Sequence, residues 1–233
     1  MTQKKNEVTK ATPPKPPAMG GGQGVLGNID PKDLILPRIE LGQAMSPSVQ
    51  EGKNKPGDIY NSITNEVYPS PIHIIPVKNE KNFIKWIPRD QGGGILYRTD
   101  DPQDPKVLED TKWGDDGSKP SCTAYLNFLC IIRGVEMPVV ASFHDTGYQT
   151  GRRLLTMMAM NGGQVRSYVL GATVKTNAFG KFFVYTVEQG GPVDDDELQR
   201  ATALHNTFAE TKMNFADERS DSSAAPVNEV EEF

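Results

Sequence analysis

TAYLNFLCII, residues Thr123–Ile132, alternates with a period of two. Ala124, Leu126, Phe128, Cys130 and Ile132 share one face, and Thr123, Tyr125 and Asn127 share the other, as a half-buried strand requires. Arg133-Gly134-Val135-Glu136 makes a short connection to Met137–Phe143, so the two segments predict a β-hairpin. A hairpin of this kind at mid-chain sets the fold class, and its flanks extend the pattern.

Upstream, Ile72–Val77 (IHIIPV) and Phe83–Ile87 (FIKWI) read as two strands separated by a turn at Lys78-Asn79-Glu80-Lys81. Gly92–Gly94 precede a short strand, Ile95–Arg98, and residues 99–121 read as a long exposed loop around Trp113. Residues 33–68 mix short apolar runs with Pro and Gly, which suggests irregular structure with one or two short strands. Downstream, Gly151, Leu154, Leu155 and Met158 fall at helical spacing, with Arg152 and Arg153 beside the stripe. Ser167–Lys175 and Lys181–Val187 predict a second hairpin around Thr176–Gly180. Asp194 is a good N-cap for a helix over 194–213, with Asp195, Asp196 and Glu197 favourable in its first turn.

Roughly five to seven strands and one or two helices predict a mainly β domain, an OB-like Greek-key barrel in preference to an open α+β sheet. The expected organisation is a disordered N-terminal arm over 1–28, a single β-rich domain over 29–213 and a disordered acidic tail over 214–233. The arm combines lysines with TPPKPP and GGGQG, too little apolar surface to offset its ordering entropy.

Composition narrows the function. No run of about eighteen apolar residues is present, so no membrane span is expected. MTQKKNEVTK lacks the apolar segment of a secretion signal, which predicts a cytoplasmic protein. Cys122 and Cys130 would lie roughly 26 Å apart along one strand, too far to bridge, and are expected as reduced thiols. From Asp194 onward eleven acidic residues outweigh three basic ones, giving −8, and the net charge of −5 leaves +3 on residues 1–193.

Catalytic patterns are absent from the sequence. His73, His144 and His205 are isolated, and no Walker loop, GxSxG elbow or HExxH helix occurs. The expectation is a binding protein with no cofactor and no metal. Cations and aromatics do gather on strand faces: Lys85 shares a face with Phe83, opposite Trp86; Lys181, Phe183 and Tyr185 share a face; Tyr125 lies on the more polar side of its strand. With Arg89, Arg152, Arg153 and Lys175 these are the candidate nucleic-acid contacts, since single strands need flat rings for bases and cations for phosphates.

The tail, DERSDSSAAPVNEVEEF, ends on Phe233. Glu229, Glu231, Glu232 and Phe233 resemble the C-terminal tips of single-stranded-DNA-binding proteins from bacteria and lytic phages. That resemblance implies an OB-fold core that binds single-stranded DNA in replication or recombination. It also implies a tail that recruits replication proteins such as DNA polymerase or helicase and competes with DNA for the groove. The phage type, with a monomer or homodimer core, is nearer than the bacterial type, which ends in an aspartate run and Ile-Pro-Phe. The blocks LPRIELGQAMSPSVQEG, KPGDIYNSITNEVY and GKFFVYTVEQGG are similar to segments of phage and prophage proteins; a phage-encoded chain would act in the host cytoplasm. A structural or accessory virion protein and a host-directed inhibitor are the alternative functions.

Overall fold

The computed structural model describes residues 35–178, 180–210 and 213. The arm over 1–28 and the tail over 214–233 lie outside them. In chain order the elements are β1 (Arg38–Leu41), α1 (Pro47–Gln50), β2 (Ile59–Asn61), β3 (Val67–Tyr68), β4 (Ile72–Trp86), β5 (Ile95–Thr99) and α2 (Pro105–Asp110). There follow β6 (Cys122–Ile132), β7 (Val139–Phe143), α3 (Tyr148–Met160), β8 (Arg166–Asn177), β9 (Gly180–Pro192) and α4 (Asp195–Phe208).

Among the described residues nine strands form one sheet, ordered β3-β2-β1-β7-β6-β4-β8-β9, with β5 added to β4. Every pairing is antiparallel except β1 with β7. The sheet curls into a half-barrel, so that β1 and β9, well separated in the strand order, meet again. No ladder joins them. The Gln43 side-chain amide donates to the Phe183 carbonyl and accepts from its N–H, both at 2.9 Å. A side-chain amide carries the donor and acceptor of a peptide group, so Gln43 substitutes for a strand neighbour. Nearby, the Tyr185 hydroxyl donates to the Ile39 carbonyl at 3.1 Å.

The inner face holds the main core, including Ile39, Ile74, Phe128, Phe143, Leu154, Tyr168 and Leu170. Phe143 meets Phe128 and Tyr185 edge to face, with centroids 5.8 and 5.5 Å apart. Burying each such side chain stabilises by about 1.5–3 kcal/mol. Helix α3 packs into this face through Gly151 and Leu154. A Cβ on Gly151 would stand 2.7 Å from Phe143 Cβ, so only glycine lets the helix come this close. On the outer face α4 lays Ala201, Leu204 and Phe208 over Ile75, Leu129, Ile131 and Val140. A capping box joins Asp194 and Glu197 at its start. Arg133 donates two bonds to Glu197, at 2.6 and 2.8 Å, and Lys78 donates to the Phe208 carbonyl at its end.

The mainly β, barrel-like domain expected from the sequence is present, with more strands than expected. Residues 35–68 form three strands and a one-turn helix where one or two strands were anticipated. The turn expected at Lys78–Lys81 does not exist. β4 runs unbroken from Ile72 to Trp86 and pairs with β6 along nearly its whole length, with a register shift against β6 between Pro76 and Lys78 and another against β5 between Lys85 and Trp86. Its polar residues are satisfied in place: Lys78 pairs with Glu80 at 3.0 Å while reaching the end of α4. The loop over 99–121 contains α2, capped by Asp104, and the final helix stops at Phe208 instead of continuing to 213.

Candidate nucleic-acid interface

β1 and β7 are in register only at Arg38↔Val140 and Ile39↔Ala141. Beyond that point they part, and β9 borders the gap. A cleft of about 480 Å³ opens there, lined by Arg38 and Glu40 from β1, Ser142 and His144 from the end of β7, and Lys181, Phe183 and Tyr185 from β9. The side chains of Arg38 and Glu40 are only 8% and 11% exposed, which places them at its floor. Arg38 donates to Glu40 at 3.0 Å, and the Tyr60 hydroxyl donates to the second carboxylate oxygen at 3.0 Å. Phe183 is seated against Gly57, where the φ of +92° favours glycine and an added Cβ would stand only 2.7 Å from the ring.

An aromatic strip leads to this cleft along the outer face. Trp86 donates its indole N–H to the Tyr125 hydroxyl at 3.2 Å, and the Tyr125 ring rests against His144 with centroids 4.5 Å apart. Polar side chains run beside it: Arg98 and Asn127 donate to Asn82, and Ser142 donates to Asn127. Next to His144, Asp145 accepts from Lys119 and is hydrogen-bonded to His144 Nδ1. The His144 bond, with Lys119 adding, holds the Asp145 carboxyl well below the usual carboxylate range against the opposing effect of burial.

Past the cleft the sheet ends in an arm. β8 pairs with β4 only from Tyr168 to Leu170, so from Gly171 onward β8 and β9 form a two-stranded ribbon. Thr173–Ala178 and Gly180–Lys181 are exposed. Helix α3 starts beside this ribbon, where Thr150 donates to the Tyr185 carbonyl at 2.9 Å. Arg153, three residues on, lies on the same side of the helix, and both Arg152 and Arg153 are exposed.

The structure sorts the sequence candidates. Lys181, Phe183 and Tyr185 come together at the cleft, and Trp86 stands half-buried at the far end of the strip. Three candidates require correction. Tyr125 is 3% exposed and supports its neighbours instead of offering a free ring. Lys85 does share its face with Phe83, but its ammonium is bound to Asp110 at 2.7 Å. The cross-strand pairs Lys175↔Phe182 and Thr176↔Lys181 put Lys175 on the ribbon face opposite Lys181, Phe183 and Tyr185. Arg89 sits on a short 3-10 turn, Arg89–Gln91, and its side chain is outside the described ones. Glu229, Glu231, Glu232 and Phe233 are outside the described residues altogether.

Sequence reading missed Arg38, Glu40, Gln43 and Ser142. The alternation of Arg38-Ile39-Glu40-Leu41 was a usable signal, since it sends two charged groups to one face; the surrounding Pro and Gly obscured it. Among the described residues no group of three or more His, Cys, Asp and Glu side chains could hold a metal ion. No described helix is long and apolar enough to cross a membrane.

A family model described as Pam3 phage gp34-like protein matches residues 4–214, and the chain belongs to that phage protein family. No curated protein and no solved structure matches the chain.

Proposed function

We propose that this member of the Pam3 phage gp34-like family is a single-stranded-DNA-binding protein, without enzymatic activity, that acts in replication or recombination in the host cytoplasm. The observation that carries the reading is the cleft beside β9, where Phe183 and Tyr185 supply flat apolar surface and Lys181 supplies charge on one strand. Bases stack on such rings at about 1–3 kcal/mol each. The exposed ribbon and the Arg152–Arg153 end of α3 extend the cationic surface beyond the cleft. The strand would run from the ribbon into the cleft and along the strip toward Trp86. The acidic tail, ending in Glu229, Glu231, Glu232 and Phe233, would recruit a polymerase or helicase and compete with DNA.

A polarization titration with a labelled oligo(dT) at low salt tests the reading. Binding should weaken steeply as salt rises, because phosphate contacts release counterions. Deleting residues 217–233, which carry six acids and one arginine, should tighten binding and abolish capture of the replication partner. No binding by either the full chain or the truncated one overturns the proposal. Recovery of the protein in stoichiometric amounts from purified particles would replace it with a virion role.

A further inference from the structure

Between Asp145 and Glu188 the chain holds no acidic residue and five basic ones, although the protein as a whole carries −5. This stretch builds α3 and most of the β8–β9 ribbon. Four of its cations, Arg152, Arg153, Lys175 and Lys181, are exposed. Segregation of this kind keeps a local positive field on an acidic protein.

The ribbon places its two lysines in a way that single-strand stacking does not need. The pairs Lys175↔Phe182 and Thr176↔Lys181 are adjacent in the ladder and so point to opposite faces. Lys175 and Lys181 therefore flank the arm, one on each side. A single strand has one backbone and is met by cations on one face. Cations on both faces of a narrow arm match two backbones with a gap between them, as in the major groove of a duplex. The dimensions agree. From Val174↔Phe183 to Asn177↔Gly180 the ladder advances three steps, about 10 Å at the rise of a strand. The groove is about 8.5 Å deep and about 12 Å wide, and it admits a two-stranded ribbon. The arm is firmly mounted, because Gln43 clamps the Phe183 backbone and the ring is seated on Gly57.

We propose that the end of the β8–β9 ribbon enters the major groove of duplex DNA, with Lys175 on one phosphate wall and Lys181 on the other. The duplex contact goes beyond the single-strand reading. Where both hold, the protein occupies a junction, with the ribbon on the duplex and the emerging strand passing on along β9.

Polarization titrations on the full-length chain test this with three labelled ligands: oligo(dT), a blunt duplex, and the same duplex carrying an oligo(dT) tail. The tailed duplex should bind at least about tenfold more tightly than either part, since tethering makes the second contact intramolecular. Lys175→Ala, at an exposed position with little bearing on folding, should cut that advantage to about twofold. It should also lower the salt slope for the blunt duplex by about one, and Lys175→Arg should restore both. A tailed duplex bound no better than oligo(dT) overturns the duplex arm and leaves single-strand binding standing. An advantage that survives Lys175→Ala overturns the arm as well. Lys175-dependent binding of the blunt duplex by a protein that ignores oligo(dT) upholds the arm and removes the single-strand reading. Binding to none of the three removes both.

Discussion

Phe83-Ile84-Lys85 on β4 and Lys181-Phe182-Phe183 on β9 are nearly the same short motif, a lysine and a phenylalanine on one strand face, and they have opposite fates. At the first site Phe83 packs with Val107 and Cys122 under α2, and Lys85 is held by Asp110. Asp110 also accepts from the hydroxyls of Tyr97 and Ser121, so four side chains pin the helix to the sheet. At the second site Phe183 rests on Gly57 and lines the cleft, while Lys181 stays exposed. The difference is the acid. The polar stretch between β5 and β6 folds back an aspartate onto Lys85, and that cation becomes structural. A lysine and an aromatic on a strand are therefore a binding feature only where the rest of the chain leaves them open.

Four experiments break or sharpen the contrast. Gly57→Ala should have the largest effect, about 3 kcal/mol in chemical denaturation, since it combines a disfavoured φ with overlap on the Phe183 ring. Hydrogen exchange should show the loss concentrated in β9 and not in β5; uniform loss would mean that the two sites are one cooperative unit. Gln43→Glu replaces the amide N–H by an acceptor facing the Phe183 carbonyl, and should cost about 2 kcal/mol. It should also weaken oligo(dT) binding by loosening the cleft wall.

Asp110→Ala should cost about 1–2 kcal/mol by stripping Lys85, Tyr97 and Ser121 of their shared partner, a partly buried pair being worth more than a surface one. Its pH signature is distinctive. Lys85, chiefly, holds the Asp110 carboxyl below its ordinary range. The folded pKa thus lies under the unfolded value of about 3.9, and the stabilisation is present above that value and lost as acid carries the pH down through the depressed one. Asp110→Asn should accordingly lose less stability than the unaltered protein between about pH 5 and pH 3. Lys181→Ala should have the smallest effect on folding, under about 0.5 kcal/mol. It should nevertheless reduce the salt slope of DNA binding by about one.

The sequence carried most of the fold and part of the site, for a common reason. Strands such as β6, β8 and β9 are half-buried, so their alternation survives in the residue pattern. The N-cap at Asp194 was equally plain, because capping is local chemistry. The continuity of β4 was hidden, since Lys78, Asn79, Glu80 and Lys81 look like a turn until α4 and β6 supply their partners. At the site, Lys181, Phe183 and Tyr185 were legible as one strand face. Arg38, Glu40 and Gln43 were not, because what makes them matter is the approach of β9 from far along the chain, which no local pattern records.

That separation has a consequence in time. The two ends of the Gln43–Phe183 clamp stand 140 positions apart. At about 5–20 residues per second a ribosome needs roughly 7–28 s to deliver the second end after the first. β1 is complete as that interval opens and β2 and β3 follow it soon after, whereas β7, the parallel partner of β1, arrives late in the interval and β9 only at its end. In the meantime β1, β2 and β3 have only one another to pair with. Closure of the half-barrel thus waits for the last strand to be made, and only α4 among the described elements follows it.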